Sequence, residues 1–251
     1  MPAANPESEW FGFRRVAAEE KAGLVGRVFT SVADHYDLMN DLMSGGLHRL
    51  WKDALIRRMN PQAGMTLLDV AGGTGDIALR LHRQTKGQAN IIVCDINPAM
   101  LAQGKNKALD QGIIKGMTWV TGNAEALPFP NRSVDRYSIA FGLRNVTRID
   151  EALREAARVL KPGGRFFCLE FSPGVITPLK PLYEKYCVNV LPLLGEFVAQ
   201  DRDAYQYLAE SILKFPPQEA LAERMKKAGF DGVKWTNLTG GIAVIHEGWR
   251  L

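Results

Sequence analysis

Thr66-Leu67-Leu68-Asp69-Val70-Ala71-Gly72-Gly73-Thr74-Gly75-Asp76 is the stretch that decides the fold. Leu67 to Ala71 is an apolar run of the kind that forms a buried strand in a parallel sheet. Glycines follow at once, and a helical pattern opens at Asp76-Ile77-Ala78-Leu79-Arg80-Leu81. A strand, a glycine turn and a helix start are the parts of a nucleotide cradle, because glycine lets the backbone turn tightly and approach a ligand with no Cβ in the way. A second apolar run, Asn90-Ile91-Ile92-Val93-Cys94, ends in Asp95, whose carboxylate at the end of the second strand can accept both hydroxyls of a ribose.

The glycine string is ambiguous by itself. Gly73-Thr74-Gly75-Asp76-Ile77-Ala78 satisfies the dinucleotide pattern G-x-G-x-x-G/A, and the glycines are also compatible with a plain tight turn. Two residues point away from NAD. Asp69, inside the strand, is placed to fix the glycine loop and the amino group of an amino-acid-like ligand. Asp76 stands at the helix start, where it would repel a pyrophosphate. A ligand with an adenosine, no phosphate and a cationic sulfonium fits this acidic lining better, which is S-adenosylmethionine. Gly73 and Gly75 are then the cradle glycines.

The rest of the chain extends this pattern. Met117 to Val120 reads as a third strand, ending in a loop where Asn123 can read an adenine amino group while Ala124 and Leu127 sandwich the ring; a plain surface loop is the alternative. Val134 to Phe141 is a fourth strand, delivering Gly142-Leu143-Arg144-Asn145-Val146 to the crevice at the strand ends. An amphipathic helix, Ile149 to Leu160, and a turn at Lys161-Pro162-Gly163-Gly164 lead into a fifth strand, Arg165 to Leu169. A helix at Gln218 to Ala228 precedes two closing strands, Val233–Leu238 and Ile242–His246, joined like a hairpin at Thr239-Gly240-Gly241. Alternating strands and helices predict a doubly wound, mostly parallel sheet.

Residues 1–60 are expected to form a helical N-terminal lid, flexible through about residue 18, on a core at 61–251 that folds as one domain. Helices are expected from Glu19 to Tyr36 and from Leu47 to Met59, the second stopped by Asn60-Pro61. Arg49, Lys52, Arg57 and Arg58 lie mainly off its apolar stripe, as a solvated face or as one attracted to an anionic membrane. Residues from about 173 to 215 form a helical insert, apolar on more than one side, suited either to core packing or to walling a greasy pocket.

The chain has 251 residues, a net charge of +4, 46% hydrophobic and 23% charged residues, ordinary for one globular α/β domain and too weakly basic to imply nucleic acid. Cys94, Cys168 and Cys187 read as reduced thiols, and no apolar run opens the chain or is long enough to span a membrane. A cytoplasmic protein is expected. His35, His48, His82 and His246 show no metal-ligand spacing.

Several separated motifs resemble those of the C-methyltransferases of ubiquinone and menaquinone biosynthesis. Tyr36-Asp37-x-Met39-Asn40-x-x-Met43-Ser44-x-x-x-His48-x-x-Trp51 is similar to that family's first signature. Arg158-Val159-Leu160-Lys161-Pro162-Gly163-Gly164-Arg165-Phe166-x-x-Leu169-Glu170-x-Ser172 is similar to the second. Phe141-Gly142-Leu143-Arg144-Asn145-Val146 and Leu238-Thr239-Gly240-Gly241-Ile242-Ala243 also resemble it. The resemblance implies a class I S-adenosylmethionine-dependent methyltransferase fold, seven strands in the order 3-2-1-4-5-7-6 with the seventh antiparallel, that methylates a ring carbon of a polyprenylated benzoquinol or demethylmenaquinol. It implies cofactor contacts at Thr74, Asp95, Asn123 and Ala124. Many members carry a serine where this chain has Ala140, so that hydroxyl contact is absent here.

Removing a proton from a quinol hydroxyl makes the adjacent ring carbon nucleophilic, and Arg144 and Asn145 at the fourth strand's tip are placed to polarise that oxygen. His48 and Tyr36 are candidates to assist from the lid, with a structural hydrogen bond beside Trp51 as the alternative for His48. A lipid-soluble substrate implies peripheral contact at the membrane inner face. A homodimer or an assembly with other quinone-biosynthesis proteins stays open. So do a methyltransferase acting on a soluble acceptor, an NAD oxidoreductase and a non-catalytic cofactor-binding scaffold.

Overall fold

The structure, a computed structural model, describes residues 8–31, 41, 44–175 and 202–251. Tyr36, Cys187 and most of the expected insert lie outside the described residues.

Seven strands form the main sheet: β3 (Thr66–Val70), β4 (Asn90–Asp95), β5 (Met117–Thr121), β6 (Val134–Ala140), β7 (Leu160–Phe171), β8 (Asp231–Leu238) and β9 (Ala243–Trp249). Their order across the sheet is β5-β4-β3-β6-β7-β9-β8. β9 runs antiparallel to both neighbours, and β3 to β7 pair in parallel. Counted from β3, this is the order 3-2-1-4-5-7-6 that the motifs imply.

Helices cover both faces, and strand periodicity assigns them. Leu67 and Phe167 face one core with Trp51, Leu55 and Met59 of α2 (His48–Met59) and Ile77, Ala78 and Leu81 of α3 (Asp76–Gln84). Their neighbours Leu68 and Phe166 face the other core, with Leu153 and Ala156 of α5 (Ile149–Val159) and Leu221 and Met225 of α7 (Gln218–Lys227). Successive side chains of a strand point to opposite faces, so each apolar run feeds two cores at once. Between β4 and β5, α4 (Pro98–Asp110) starts at Pro98, and Asn97 caps it by accepting the Ala99 amide at 2.9 Å.

Three expectations need correction. Residues 8–17 are not a flexible lead into a helical lid. They form an antiparallel hairpin, β1 (Ser8–Phe11) and β2 (Arg14–Ala17), reversed at Gly12 with φ +58°, before α1 (Ala18–Ser31) begins. The hairpin packs on α6 (Arg202–Lys214), the one described helix of the insert region, where Phe11 stacks on Tyr207 with centroids 4.2 Å apart. Second, Lys161 to Gly164 do not end a helix as a free turn. They lie inside β7, where a register shift between Val134 and Arg136 absorbs them as a bulge. Third, Lys52 does not belong to an exposed basic face: it is buried and ion-paired with Asp76 at 2.7 Å.

α2 stops as expected, with Asn60 in the left-handed conformation and its amide donating to the Ile56 carbonyl at 3.1 Å. Its Trp51 indole N–H donates to Thr239 Oγ1 at 2.9 Å, fastening the N-terminal part to the turn between β8 and β9. No helix among the described residues is long and apolar enough to cross a membrane.

Candidate active site

A cavity opens at the carboxyl ends of β3, β4 and β6, the point where the sheet order reverses and open α/β sheets bind ligands. Two tight loops make its floor. Ala71 follows β3 with φ +51° and Phe141 follows β6 with φ +58°, both in the left-handed region that residues with a Cβ rarely adopt. The loops touch: a Cβ on Gly142 would come within 2.5 Å of the Ala71 Cβ. A Cβ on Gly72 would lie 2.6 Å from Val93 and 2.9 Å from Asp69 Oδ2. Gly72 and Gly142 are therefore required by close approach, although the sequence pattern directs attention to Gly73 and Gly75.

Asp95 organises the cradle. Its Oδ2 accepts the Gly73 amide at 2.8 Å and its Oδ1 accepts the Asn97 amide at 2.8 Å, so the loops after β3 and β4 share one carboxylate. Burial raises its pKa, and these backbone N–H groups oppose the rise. Gly73, Asp95, Asn123, Ala124 and Asn145 line the cavity together, as read from the sequence. Asn123 Oδ1 accepts the Glu125 amide at 2.9 Å, which fixes the carboxamide. Met100, Ile96 and Phe141 supply apolar walls that sequence reading missed, and Val25 and Gly26 of α1 reach the same wall. Only tertiary packing brings α1 there.

Other predicted residues stand behind the wall. Asp69 is fully buried below the loop, with Oδ1 accepting the Ser138 hydroxyl at 2.7 Å and Oδ2 without a hydrogen-bond partner. Burial pushes its carboxyl up to about 7, and the Ser138 hydrogen bond works against this. Thr74 is buried and does not line the cavity. Gly75 does not either; its missing Cβ makes room for the Trp119 ring, 2.6 Å from where that atom would stand. Asp76 does not act as an unpaired repelling charge. Lys52 at 2.7 Å and Arg80 at 2.9 Å neutralise it and, against its burial, hold its carboxyl at about 2. The expected repulsion of a pyrophosphate by a bare Asp76 charge is therefore not what this loop presents.

His48 is buried, its Nε2 is 2.8 Å from Asp41, and it does not line the cavity. Burial first, and the Lys52 cation next, lower its pKa, while Asp41 pulls it back up. This is the structural hydrogen bond beside Trp51. Arg144 is also committed: its guanidinium donates to Glu170 at 2.7 Å and to the Phe141 carbonyl at 2.6 Å, with both members of the ion pair buried. Glu170, unassigned by sequence reading, is the partner that neutralises it. Its pKa is raised by burial in spite of Arg144. Of the three catalytic candidates among the described residues, Arg144, Asn145 and His48, Asn145 alone lines this cavity. Cys94 and Cys168 are buried free thiols, and burial pushes Cys94 up to about 12, so neither is a nucleophile.

This cradle matches a known family. The profile of the ubiE/COQ5 methyltransferase family matches residues 14–250. The chain belongs to that family. It is 53% identical over its whole length to the ubiquinone/menaquinone biosynthesis C-methyltransferase UbiE of Paracoccus denitrificans, and covers all of that protein. It is 52% identical to the mitochondrial 2-methoxy-6-polyprenyl-1,4-benzoquinol methylase of Oryza sativa subsp. japonica, over 96% of this chain and 88% of that one. Among solved structures, a SAM-dependent methyltransferase from Thermotoga maritima superposes with a TM-score of 0.65 over 90% of this chain and all of that one, at 19% identity. That likeness concerns the fold, the class I methyltransferase architecture.

Proposed function

We propose that this family member transfers the methyl group of S-adenosylmethionine to a ring carbon of a polyprenylated benzoquinol or demethylmenaquinol. The observation that carries the reading is identity above half with quinol C-methyltransferases along the whole chain. The residues at the cavity fit the cofactor: Asp95 and Asn123 line it with polar side chains, Ile96, Met100 and Phe141 wall it, and behind the loop Asp69 keeps an unpartnered carboxylate oxygen. Asp95 would take the ribose, Asn123 and Ala124 the adenine, and Gly73 with Asp69 the amino-acid end. Thr74 supports the loop from behind. When bound, the cofactor supplies an electrophilic methyl group.

The residues of the chain do the rest. The acceptor oxygen must be held so that the neighbouring carbon is nucleophilic, and Asn145 is the polar side chain at that edge of the cavity. Arg144 acts through its loop, which its bonds to Glu170 and Phe141 hold rigid. Phe141, Val146 and Val25 keep the acceptor side apolar, which suits a quinol ring and excludes water. The segment through residue 60 serves as the lid, with Tyr36 and His48 supporting it, and the protein works peripherally at the membrane's inner face, as a homodimer or in a biosynthetic assembly.

The test is methyl transfer from labelled S-adenosylmethionine to reduced demethylated benzoquinol and naphthoquinol, with mass spectrometry of the product. A methyl on ring carbon supports the reading and the preferred ring assigns the pathway. Cofactor binding with methylation only of a water-soluble acceptor sinks it.

A further inference from the structure

The loop that follows β6 is held from three directions. Glu170 of β7 takes the Arg144 guanidinium, and the Lys21 ammonium of α1 donates to the Val146 carbonyl at 3.3 Å. From α6, the Tyr207 hydroxyl donates to Asn145 Oδ1 at 3.1 Å. The third bond differs from the others because it ends on a side chain of the cavity wall. A carboxamide has one acceptor oxygen and two N–H donors on opposite sides. With Oδ1 occupied by Tyr207, the Nδ2 donors are what remains, and Nδ2 is buried with no hydrogen-bond partner. Burying donors unsatisfied is costly, so a native site retains them where a ligand completes them.

We infer that Tyr207 is a positioning residue for methyl transfer: its hydroxyl fixes the Asn145 carboxamide so that the Nδ2–H group donates to the acceptor oxygen whose charge grows as the ring carbon attacks. This rests on the proposed transfer to a quinol. Without the Tyr207 bond the carboxamide can turn over and offer its oxygen instead. An acceptor there would repel a phenolate rather than stabilise it.

Tyr207 itself is set by packing. Its ring is buried and stacks on Phe11 of the N-terminal hairpin, at an interplanar angle of 17°. Burial also pushes its phenol well above the usual range, which keeps the hydroxyl a donor. The hairpin and α6 thus jointly determine the direction of one amide group at the cavity, 62 residues along the chain from Tyr207.

A double-mutant cycle with Tyr207→Phe and Asn145→Ala tests this in the full-length enzyme, with kcat, KM for the quinol and Kd for S-adenosylmethionine measured for each. Tyr207→Phe keeps the ring on Phe11. It is expected to lower kcat by about 100-fold, as for a small misplacement of a catalytic contact, while cofactor Kd stays within about twofold of wild type. In the Asn145→Ala background the same change is expected to have no further effect. Asn145→Asp, which can still accept from Tyr207 but has no N–H to give, is expected to match Asn145→Ala. Selective labelling of asparagine adds a readout free of turnover: the Asn145 side-chain NH2 resonance should shift on adding quinol to wild type and not to Tyr207→Phe.

Wild-type kcat in Tyr207→Phe, losses that multiply across the cycle, or an active Asn145→Asp would each overturn the inference. The cycle compares variants on whichever acceptor the wild-type enzyme turns over. Loss of the quinol reading and loss of the Tyr207 role are therefore separate results.

Discussion

Arg144 and Glu170 form an ion pair at 2.7 Å with each side chain 1% exposed. The pair joins the loop after β6 to the end of β7, and the Glu170 carboxylate also accepts the backbone amides of Phe171 at 2.9 Å and Arg144 at 3.3 Å. A guanidinium so committed does not approach the substrate as a bare charge. It fixes the shape of the loop that carries Phe141 and Asn145.

Removing one partner leaves a buried charge uncompensated. Glu170→Gln and Arg144→Ala are each expected to lower unfolding free energy by about 3–5 kcal/mol, read from urea denaturation. Cofactor binding and methyl transfer should then fall together, because the cavity floor itself is disturbed. A variant that loses turnover with stability and cofactor affinity intact would return Arg144 to direct contact with the acceptor.

Gly72 tests the cradle by space alone. Gly72→Ala drives a Cβ against Val93 and the Asp69 carboxylate, and should cost about 1–3 kcal/mol together with most of the cofactor affinity. Gly23→Ala is the control: no atom lies within 4 Å of the added Cβ on α1. It should be neutral or stabilise by up to about 1 kcal/mol. Thermal melts with and without S-adenosylmethionine read both.

Asp95→Ala removes the acceptor shared by the Gly73 and Asn97 amides. Each hydrogen bond to a charged group contributes about 1.5–3 kcal/mol, so cofactor affinity should fall by at least about tenfold. Calorimetric titration measures it, and unchanged affinity would separate Asp95 from the ribose.

Two buried groups give pH dependences of opposite sign. Burial pulls His246 down to about 4, opposed by its contact with the Gln218 carbonyl at 3.0 Å. The unfolded chain therefore binds the extra proton, and this stability, complete above about pH 6.5, is lost as pH falls toward 4. Asp69, raised to about 7 by burial, does the reverse: the folded state holds the proton, and stability falls as pH rises from about 4 to 7. The two slopes offset in the wild-type protein. His246→Gln should make stability decline with rising pH in this window, and Asp69→Asn should make it climb, each by about 2–4 kcal/mol across the window. Urea midpoints at several pH values check this, and parallel wild-type and variant profiles would refute it.

Much of the cradle was legible because the signals are local. The apolar run before Gly72, the acidic residue ending β4 and the Asn123 loop are set by strand periodicity and by strand-end position, and alternation with helices makes their strands parallel. The N-terminal hairpin was not legible. Ser8 to Ala17 has little apolar periodicity of its own, and the hairpin is held by Phe11 on Tyr207 and by the Phe13 amide on Glu210 at 2.9 Å, contacts with residues nearly two hundred positions away. Lys52 read as part of a charged outer face because helical periodicity marks polarity, and it cannot mark an ion pair with a different helix.

The sequence by itself determined the doubly wound, mostly parallel sheet and the glycine turn after its first strand, since each depends on residue type at short spacing, and the resemblance of its separated motifs to a family implied the seven-strand order. Only the tertiary structure decided which polar groups are free to act. Arg144, Asp76 and His48 look alike available in the chain, and each is spent on a partner brought in by packing: Glu170, Lys52 and Asp41. Asn145 keeps unpaired donors because Tyr207 occupies its oxygen. A side chain's chemistry is written in its type, but its availability depends on what the fold buries beside it, because a charge in a low-dielectric interior is stabilised chiefly by a partner that packing supplies.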